Sequence, residues 1–330
     1  MFLLCNNGFF YSLKNNVPLR RVSSNTFPSG SLDTTLGFSL PTHIQSRHNI
    51  RSLEAKHYEG IINIAKIEKC SFFRDSLIMR RDLLLSLKMS EVSSLIIDSH
   101  VHIGGPPAEA EPERFVQLME KSKIDKAIIF RYFYNRPTSA SNKYIKSVVE
   151  KHPKHFIGFA WINPNDRTAP MEVKNAIKEW NLKGLKLHLE MDPSSMSKLR
   201  EVFIEAENLS IPICVHLGED FVTIERLSQE FKIPIIIAHL GTGVYRLDLE
   251  RLRKAIALAK RENVYLETSG NTYPFVDYAV RHLSASKVIL GSDFPHEHPL
   301  VSAKTVELLE LPTVEKEKIL GLNIQNILAI

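Results

Sequence analysis

From residue 95 onwards, short apolar runs alternate along the chain with segments of helical spacing. Eight of these runs have the length of strands and are rich in Ile, Leu and Val. Several lack polar alternation, which is typical of parallel strands buried on both faces. The predicted strands are LIIDSH (95–100), KAIIFRYF (126–133), HFIGFAWI (155–162), KGLKLHL (183–189), IPICVHL (211–217), IPIIIAHL (233–240), VYLET (264–268) and KVILGSD (287–293).

The segments between the strands have the spacing of amphipathic helices. In LDLERLRKAIALAKREN, for example, Leu249, Leu252, Ile256 and Ala259 recur every three or four positions, with charged residues opposite. Eight consecutive strand–helix units over about 240 residues predict an α/β fold, a (β/α)8 TIM-like barrel formed by residues 89–330. The alternative is an open doubly wound sheet, but the strict alternation without a long insertion favours the barrel.

Residues 1–88 do not follow this pattern, and they carry the basic excess of the chain. The whole chain has 42 Lys and Arg against 37 Asp and Glu, a net charge of +5, whereas residues 1–88 hold 12 basic and 6 acidic residues. The remainder is close to neutral, which argues against a nucleic-acid surface on the folded part. We interpret residues 1–88 as an extension that is disordered or non-native, with a targeting segment and an accessory segment as alternatives.

The composition points to an intracellular setting by default. The three cysteines, Cys5, Cys70 and Cys214, are too few and too scattered for a disulfide framework or a Cys-x-x-Cys metal site, so we expect a cytoplasmic location. No run of about 18 apolar residues is present, and we expect no membrane span. Organelle targeting stays open because the extension is basic and poor in acidic residues.

Histidines gather where a barrel has its active site, at the C-terminal ends of the strands. Ten histidines follow residue 88, and half of them end predicted strands. These five are His100, His102, His188, His216 and His239. Asp293 ends the eighth strand in the same way.

The His100-x-His102 pair is the most specific single feature. Residues i and i+2 of a strand point to the same face, so both imidazoles can reach one metal ion inside the barrel. His216 and Asp293 end strands at an equivalent level, which completes a candidate set of three imidazoles and one carboxylate. This set predicts one divalent metal ion, first of all Zn²⁺, with Mn or Fe as alternatives. The alternative is a pair of histidines that merely hydrogen-bond at a strand exit.

Two residues are predicted to assist this metal. His239 ends the strand after that of His216 and is placed to take a proton from a water, for which a neutral imidazole is suited. Its alternatives are a further metal ligand or a core histidine. Asp98 shares the strand face of His100 and His102, and we expect it to orient a metal ligand from behind.

Four further residues are candidate substrate contacts. Lys186 faces inward on the fourth strand, where it either binds an anionic group, bridges two metals after carboxylation, or fills the barrel interior. His188 ends the same strand at the rim. Arg131, at the end of the second strand, is a candidate anion clamp or a solvated charge, and His296 lies in the last loop.

Glu267 and Ser269 also share a face, at the end of the seventh strand. The sequence leaves contact with substrate open for both, but it favours a structural role.

The chain from about residue 93 to 330 resembles the amidohydrolase superfamily, specifically its amidohydrolase-related branch of aminocarboxymuconate-semialdehyde decarboxylase-like enzymes. The resemblance rests on seven stretches that occur in the expected order. They are IIDSHVHIG (96–104), GLKLH (184–188), PICVHLG (212–218), IIIAHLG (235–241), VYLETSG (264–270), ILGSDFPH (289–296) and ILGLNIQNIL (319–328).

The resemblance implies a distorted (β/α)8 barrel that holds one divalent metal, often zinc. By that resemblance the metal ligands are His100, His102, His216 and Asp293, and His239 activates the metal-bound water. It also implies a small-molecule substrate, and a homodimer is the assembly it suggests.

Three functions follow from these residues. The first is a metal-dependent hydrolase that uses a metal-activated water on a small ester, lactone or amide. The second is a metal-dependent, non-oxidative decarboxylase of an aromatic or unsaturated carboxylic acid. The third is a metal-binding barrel without turnover, against which the full set of ligands and the water-activating histidine argue.

Overall fold

The structure, a computed structural model, describes three stretches of the chain and one short hairpin. The stretches are residues 95–105, 110–132 and 137–330, and the hairpin pairs Phe2–Leu4 with Phe10–Ser12 in antiparallel fashion. The chain divides into two compact units, Met1–Leu77 and Ile78–Ile330. Apart from the hairpin strands, the prediction for residues 1–88 lies outside the described residues.

Eight parallel strands form one sheet in which neighbours follow the order of the chain. They are β1 (Ile97–Ile103), β2 (Lys126–Arg131), β3 (Phe156–Trp161), β4 (Gly184–His188), β5 (Ile213–His216), β6 (Ile235–Ile237), β7 (Val264–Glu267) and β8 (Val288–Ile289). Each strand overlaps one of the eight predicted runs. A doubly wound sheet would reverse its strand order at a switch point, and this sheet does not.

The sheet closes between its last and first strands. The amide of Ser99 donates to the carbonyl of Leu290 at 3.0 Å, and that of Asp293 donates to the carbonyl of His100 at 2.8 Å. A third bond runs from His102 N to Phe294 O at 2.8 Å. The predicted (β/α)8 TIM-like barrel is therefore confirmed.

Helices follow the strands and form the outer layer. They are α1 (Pro112–Ser122), α2 (Ser139–Lys151), α3 (Ala169–Lys178), α4 (Met196–Asn208), α5 (Phe221–Glu230), α6 (Leu249–Ala259), α7 (Tyr273–His282), α8 (Pro299–Glu307), α9 (Thr313–Glu317) and α10 (Asn323–Leu328). A single-turn 3₁₀ helix, Ala238–Gly241, follows β6, and a π-helical turn, Lys318–Leu322, precedes α10. Among the described residues, no helix combines the length and apolar character needed to cross a bilayer.

Two apolar layers leave only one end of the barrel for polar groups. The larger cluster lies between sheet and helices, and a smaller one that includes Phe130, Phe159, Cys214 and Ile289 fills the barrel interior. Ile324, on α10, belongs to the interior cluster as well. The buried histidines, Lys186 and Asp293 therefore collect at the C-terminal ends of the strands, as the sequence predicted.

Asp98 holds the seam between β1 and the segment after β8. Its carboxylate accepts hydrogen bonds from the Ser292 amide at 2.9 Å, the Ser292 hydroxyl at 2.6 Å and the His100 amide at 3.2 Å. The pairing of β1 with β2 shifts register between Asp98 and Val101, which turns the strand locally. Asp98 thus acts on the neighbourhood of His100 and Asp293 through the backbone.

We expect the replacement Asp98→Ala to lower the free energy of unfolding by about 2 kcal/mol, because it leaves buried donors of Ser292 without a partner. Chemical denaturation followed by circular dichroism measures this change. Asp166→Ala, at an exposed position, is the control and should leave stability unchanged. Equal stability of the two variants would show that Asp98 does not hold the seam.

Candidate active site

Three candidate metal ligands converge at the seam of the barrel. His100 Nε2 lies 3.4 Å and His102 Nε2 lies 3.2 Å from the same oxygen, Asp293 Oδ1. One donor atom from each residue lies within 4.8 Å of the others, and all three side chains are buried. The closure of β1 against the segment after β8 therefore produces the His-His-Asp cluster that the sequence predicted.

The protonation of His102 is decided by its outer nitrogen. Nδ1 lies 3.1 Å from the backbone carbonyl of Arg131, which can only accept, so Nδ1 carries the proton. In the neutral ring the Nε2 lone pair then faces the carboxylate of Asp293. Two electron-rich groups at 3.2 Å repel each other unless a cation lies between them, so this arrangement fits a metal ion.

His100 and His239 are joined by a buried chain of hydrogen bonds. His239 Nδ1 donates to the Ser269 hydroxyl at 2.8 Å, and that hydroxyl donates to Glu267 Oε2 at 2.7 Å. His100 Nδ1 donates to the same Oε2 at 2.8 Å. Gly291 is required beside this chain, because a Cβ there would overlap the Glu267 carboxylate. The chain leaves the Nε2 lone pairs of both imidazoles available to a metal or a proton.

Burial keeps the imidazoles of His100 and His239 neutral. It lowers the pKa of His100 well below its usual value, with Lys186 acting in the same direction. It lowers the pKa of His239 to about 4. Burial raises the pKa of Glu267 to about 8, against the effect of two hydrogen bonds from Ser269. Burial alone would raise the pKa of Asp293, but the surrounding histidines, His102, His239 and His296, together outweigh it and leave that pKa below the usual value.

Lys186 reaches the same cluster from β4. Its Nζ lies 3.2 Å from His100 Nε2, 3.8 Å from Cys214 Sγ and 5.0 Å from the centre of the Phe130 ring. The side chain is 1% exposed. The amino group of Lys186 therefore competes with a metal for the Nε2 lone pair of His100.

His216 lies beside the cluster, but its Nε2 is turned away. That atom lies 3.0 Å from Glu190 Oε2, while the ring packs on His239 with centroids 4.8 Å apart. His216 therefore belongs to neither of the two groups of close ligand atoms in the described chain, which are His100–His102–Asp293 and His100–His239–Glu267. A role as fourth ligand needs the imidazole to rotate away from Glu190.

The predicted substrate contacts occupy different places. His188 is stacked on His216, with ring centroids 4.0 Å apart, at the mouth of the barrel. The guanidinium of Arg131 lies 3.8 Å from the centre of the Tyr144 ring, on the outer side of β2, and only its carbonyl touches the cluster, through His102. His296 is exposed in the loop after β8.

Two candidate residues adopt unfavourable backbone conformations. His239 has φ of 57° and Asp293 has φ of 61°, the left-handed region that residues with a Cβ rarely occupy. Such strain is kept only where the surroundings hold it in place, and it clusters at functional sites. Here it directs both side chains into the cluster.

Three residues matter more than the sequence indicated. The sequence favours a structural role for Glu267 and Ser269, yet the two residues connect His239 to His100. Their shared strand face is the available signal. Glu190, the partner of His216, was not a candidate at all. It lies in the turn after β4, where neither periodicity nor strand position marks it.

The family model for amidohydrolases matches residues 97–330. The chain therefore belongs to the amidohydrolase family. No curated protein sequence matches it.

Solved structures share the fold at low sequence identity. A probable 2-pyrone-4,6-dicarboxylic acid hydrolase of Acinetobacter baumannii, with citric acid bound, has a TM-score of 0.61 at 16% identity, covering 71% of this chain and 99% of its own. A 2,6-dihydroxybenzoate decarboxylase gives 0.57 at 15% identity, with 72% and 100% covered. A dihydroxybenzoic acid decarboxylase of Polaromonas sp. JS666, with bound manganese, gives 0.55 at 19% identity, with 72% and 97% covered. These likenesses show the fold, and they include both hydrolytic and decarboxylating proteins.

The donor set of two buried imidazoles and a buried carboxylate fits a divalent metal. We expect the protein to bind one such ion, and His102→Ala to weaken binding more than about 100-fold because a direct ligand is lost. Glu267→Gln should weaken it about 10-fold to 100-fold by releasing His100. Titration of metal-free protein with Zn²⁺ and Mn²⁺, followed by calorimetry, measures both.

The same titration of His216→Ala decides whether that histidine is the fourth ligand. A loss as large as that of His102→Ala is expected. Affinity equal to that of the control His282→Ala, whose ring is exposed on α7, would remove His216 from the ligand set.

Proposed function

We propose that the protein is a metal-dependent hydrolase acting on a small ester, lactone or amide. The observation that carries this proposal is the orientation of His239. Its Nδ1 proton is committed to Ser269, so the Nε2 lone pair is free beside His100 and Asp293. A neutral imidazole held in this way is a general base for a water molecule.

His100, His102 and Asp293 would hold the metal, with His216 as a fourth ligand after it leaves Glu190. A divalent ion at this point supplies Lewis-acid chemistry: it polarises a carbonyl oxygen and makes a water more acidic. The ion could be Zn²⁺, Mn²⁺ or Fe²⁺, since imidazole and carboxylate ligands suit all three. Buried apolar residues below the cluster exclude bulk water from its underside.

His239 would accept a proton from the attacking water and deliver it to the leaving group. As the imidazolium forms, the Ser269 hydroxyl already accepts from His239 Nδ1 and donates to Glu267, so the dipoles of this chain are aligned to stabilise the positive charge. The pKa of about 4 keeps His239 in its base form at neutral pH. His188 and Lys186 remain candidate contacts of the substrate.

Non-oxidative decarboxylation of an aromatic or unsaturated acid is the second candidate. It is favoured by the occurrence of decarboxylases among the structures of the same fold. That reaction needs a proton donor at carbon, whereas the Nδ1 proton of His239 is committed to Ser269 and its Nε2 is oriented as a base. Hydrolysis therefore ranks first.

A substrate panel separates the two reactions. We expect metal-loaded protein to hydrolyse members of a set of aryl esters, lactones and anilides, followed by proton release. The matching set of aromatic and unsaturated carboxylic acids is followed for CO₂. Release of CO₂ without any hydrolysis would overturn the proposal in favour of decarboxylation.

His239→Ala should retain the metal and lose turnover by at least about 100-fold, because general-base catalysis commonly contributes that much. His282→Ala is again the control. Metal loss in His239→Ala would make His239 a ligand, as its closeness to His100 and Glu267 also allows.

A further inference from the structure

Trp161 ends β3 on the face that looks into the barrel. Phe159, two residues earlier, belongs to the interior cluster, and strand residues i and i+2 share a face. The indole is 1% exposed, and its centroid lies 6.1 Å from that of His188 on the adjacent strand, at an interplanar angle of 30°. Trp161 therefore lies at the level of the candidate site, beside a predicted substrate contact.

The indole N–H of Trp161 is buried and has no hydrogen-bond partner within the described chain. The backbone of the same residue is fully used. Asn142 Oδ1 accepts from its amide at 2.9 Å, and Asn142 Nδ2 donates to its carbonyl at 3.0 Å. An unpaired buried donor is destabilising, so the unpartnered indole N–H of a residue whose backbone is fully hydrogen-bonded points to a bound group that accepts from it.

His188 supplies a second donor next to Trp161. The amide of Met191 donates to His188 Nδ1 at 3.2 Å, so Nδ1 is unprotonated and Nε2 carries the proton of the neutral imidazole. Trp161 pairs in register with Lys186, and His188 follows two residues further along β4. Two neutral N–H donors thus stand on neighbouring strands at the mouth of the barrel.

We propose that Trp161 Nε1 and His188 Nε2 form a subsite that binds a carboxylate of the substrate. A carboxylate offers two acceptor oxygens in one plane, which suits two N–H donors on adjacent rings, whereas a neutral amide offers one oxygen and adds donors of its own. This subsite deepens the proposed function, on which it rests, because it names an acid group that the substrate carries in addition to the bond that reacts. Trp161 is then a specificity-determining residue.

The chain has two tryptophans, Trp161 and Trp180, so its indole N–H groups give two signals in a ¹H–¹⁵N spectrum. The variant Trp180→Phe assigns them. We expect benzoate, added to tens of millimolar, to shift the Trp161 indole proton downfield to saturation and to leave the Trp180 signal in place. Benzamide, which has the same ring without the charge, should leave both signals unchanged.

Trp161→Phe and His188→Phe keep an aromatic ring and remove one donor each. Each should weaken benzoate binding about 5-fold to 10-fold in calorimetry, the value of one hydrogen bond of about 1 kcal/mol. Trp180→Phe is the matched control. A thermal melt like that of the parent protein shows that each variant is folded, and the indole shift in the unsubstituted protein tests the subsite without any variant.

Three results would overturn the subsite: no shift of the Trp161 signal with benzoate, an equal shift with benzamide, or benzoate binding that neither phenylalanine variant weakens. The last result would indicate that benzoate binds through the metal alone. None of these results depends on turnover, so the hydrolase proposal can stand when the subsite fails. Conversely, a saturable shift of the Trp161 signal in a protein that hydrolyses no member of the panel would support the subsite and overturn the hydrolase proposal.

Discussion

The seam between the first and eighth strands is the constraint on which the rest of the site depends. The hydrogen bond from the Asp293 amide to the His100 carbonyl places residues that are far apart in sequence next to each other. Asp293 has a left-handed backbone at the same seam, and the preceding residue, Ser292, donates its hydroxyl to Asp98. Without closure of the sheet, the aspartate and the histidine pair would lie at opposite edges.

A second constraint follows from burying so many polar groups at one end of the barrel. Each imidazole of the cluster is fixed by a partner on its outer nitrogen: a backbone carbonyl for His102, Glu267 for His100 and Ser269 for His239. These partners satisfy the buried donors, and they also select the tautomer that presents a lone pair to the interior. The hydrogen bonds that offset the cost of burying these imidazoles are therefore the same ones that decide which ring nitrogen can bind a metal or a proton.

Much of this architecture was predictable because it rests on local patterns. Apolar runs marked all eight strands, and strand ends marked His100, His102 and Asp293. The prediction was less complete where a side chain depends on contacts between strands. Arg131 ends its strand as predicted, but its guanidinium lies on Tyr144, and His216 reaches the site with Nε2 on Glu190. The alternation of side chains along a strand specifies neither the position of the Arg131 guanidinium nor the orientation of His216 Nε2.

The sequence by itself determined the barrel, the end of the barrel that carries chemistry, and the types of residue gathered there, because periodicity and strand order are properties of neighbouring residues. Only the tertiary structure decided how those residues act. It joined His239 to His100 through Ser269 and Glu267, and it placed the Lys186 amino group 3.2 Å from His100 Nε2. It also left the Trp161 indole N–H without a partner in the described chain. These features depend on distances between strands remote in sequence, which are fixed only when the sheet closes and its interior packs.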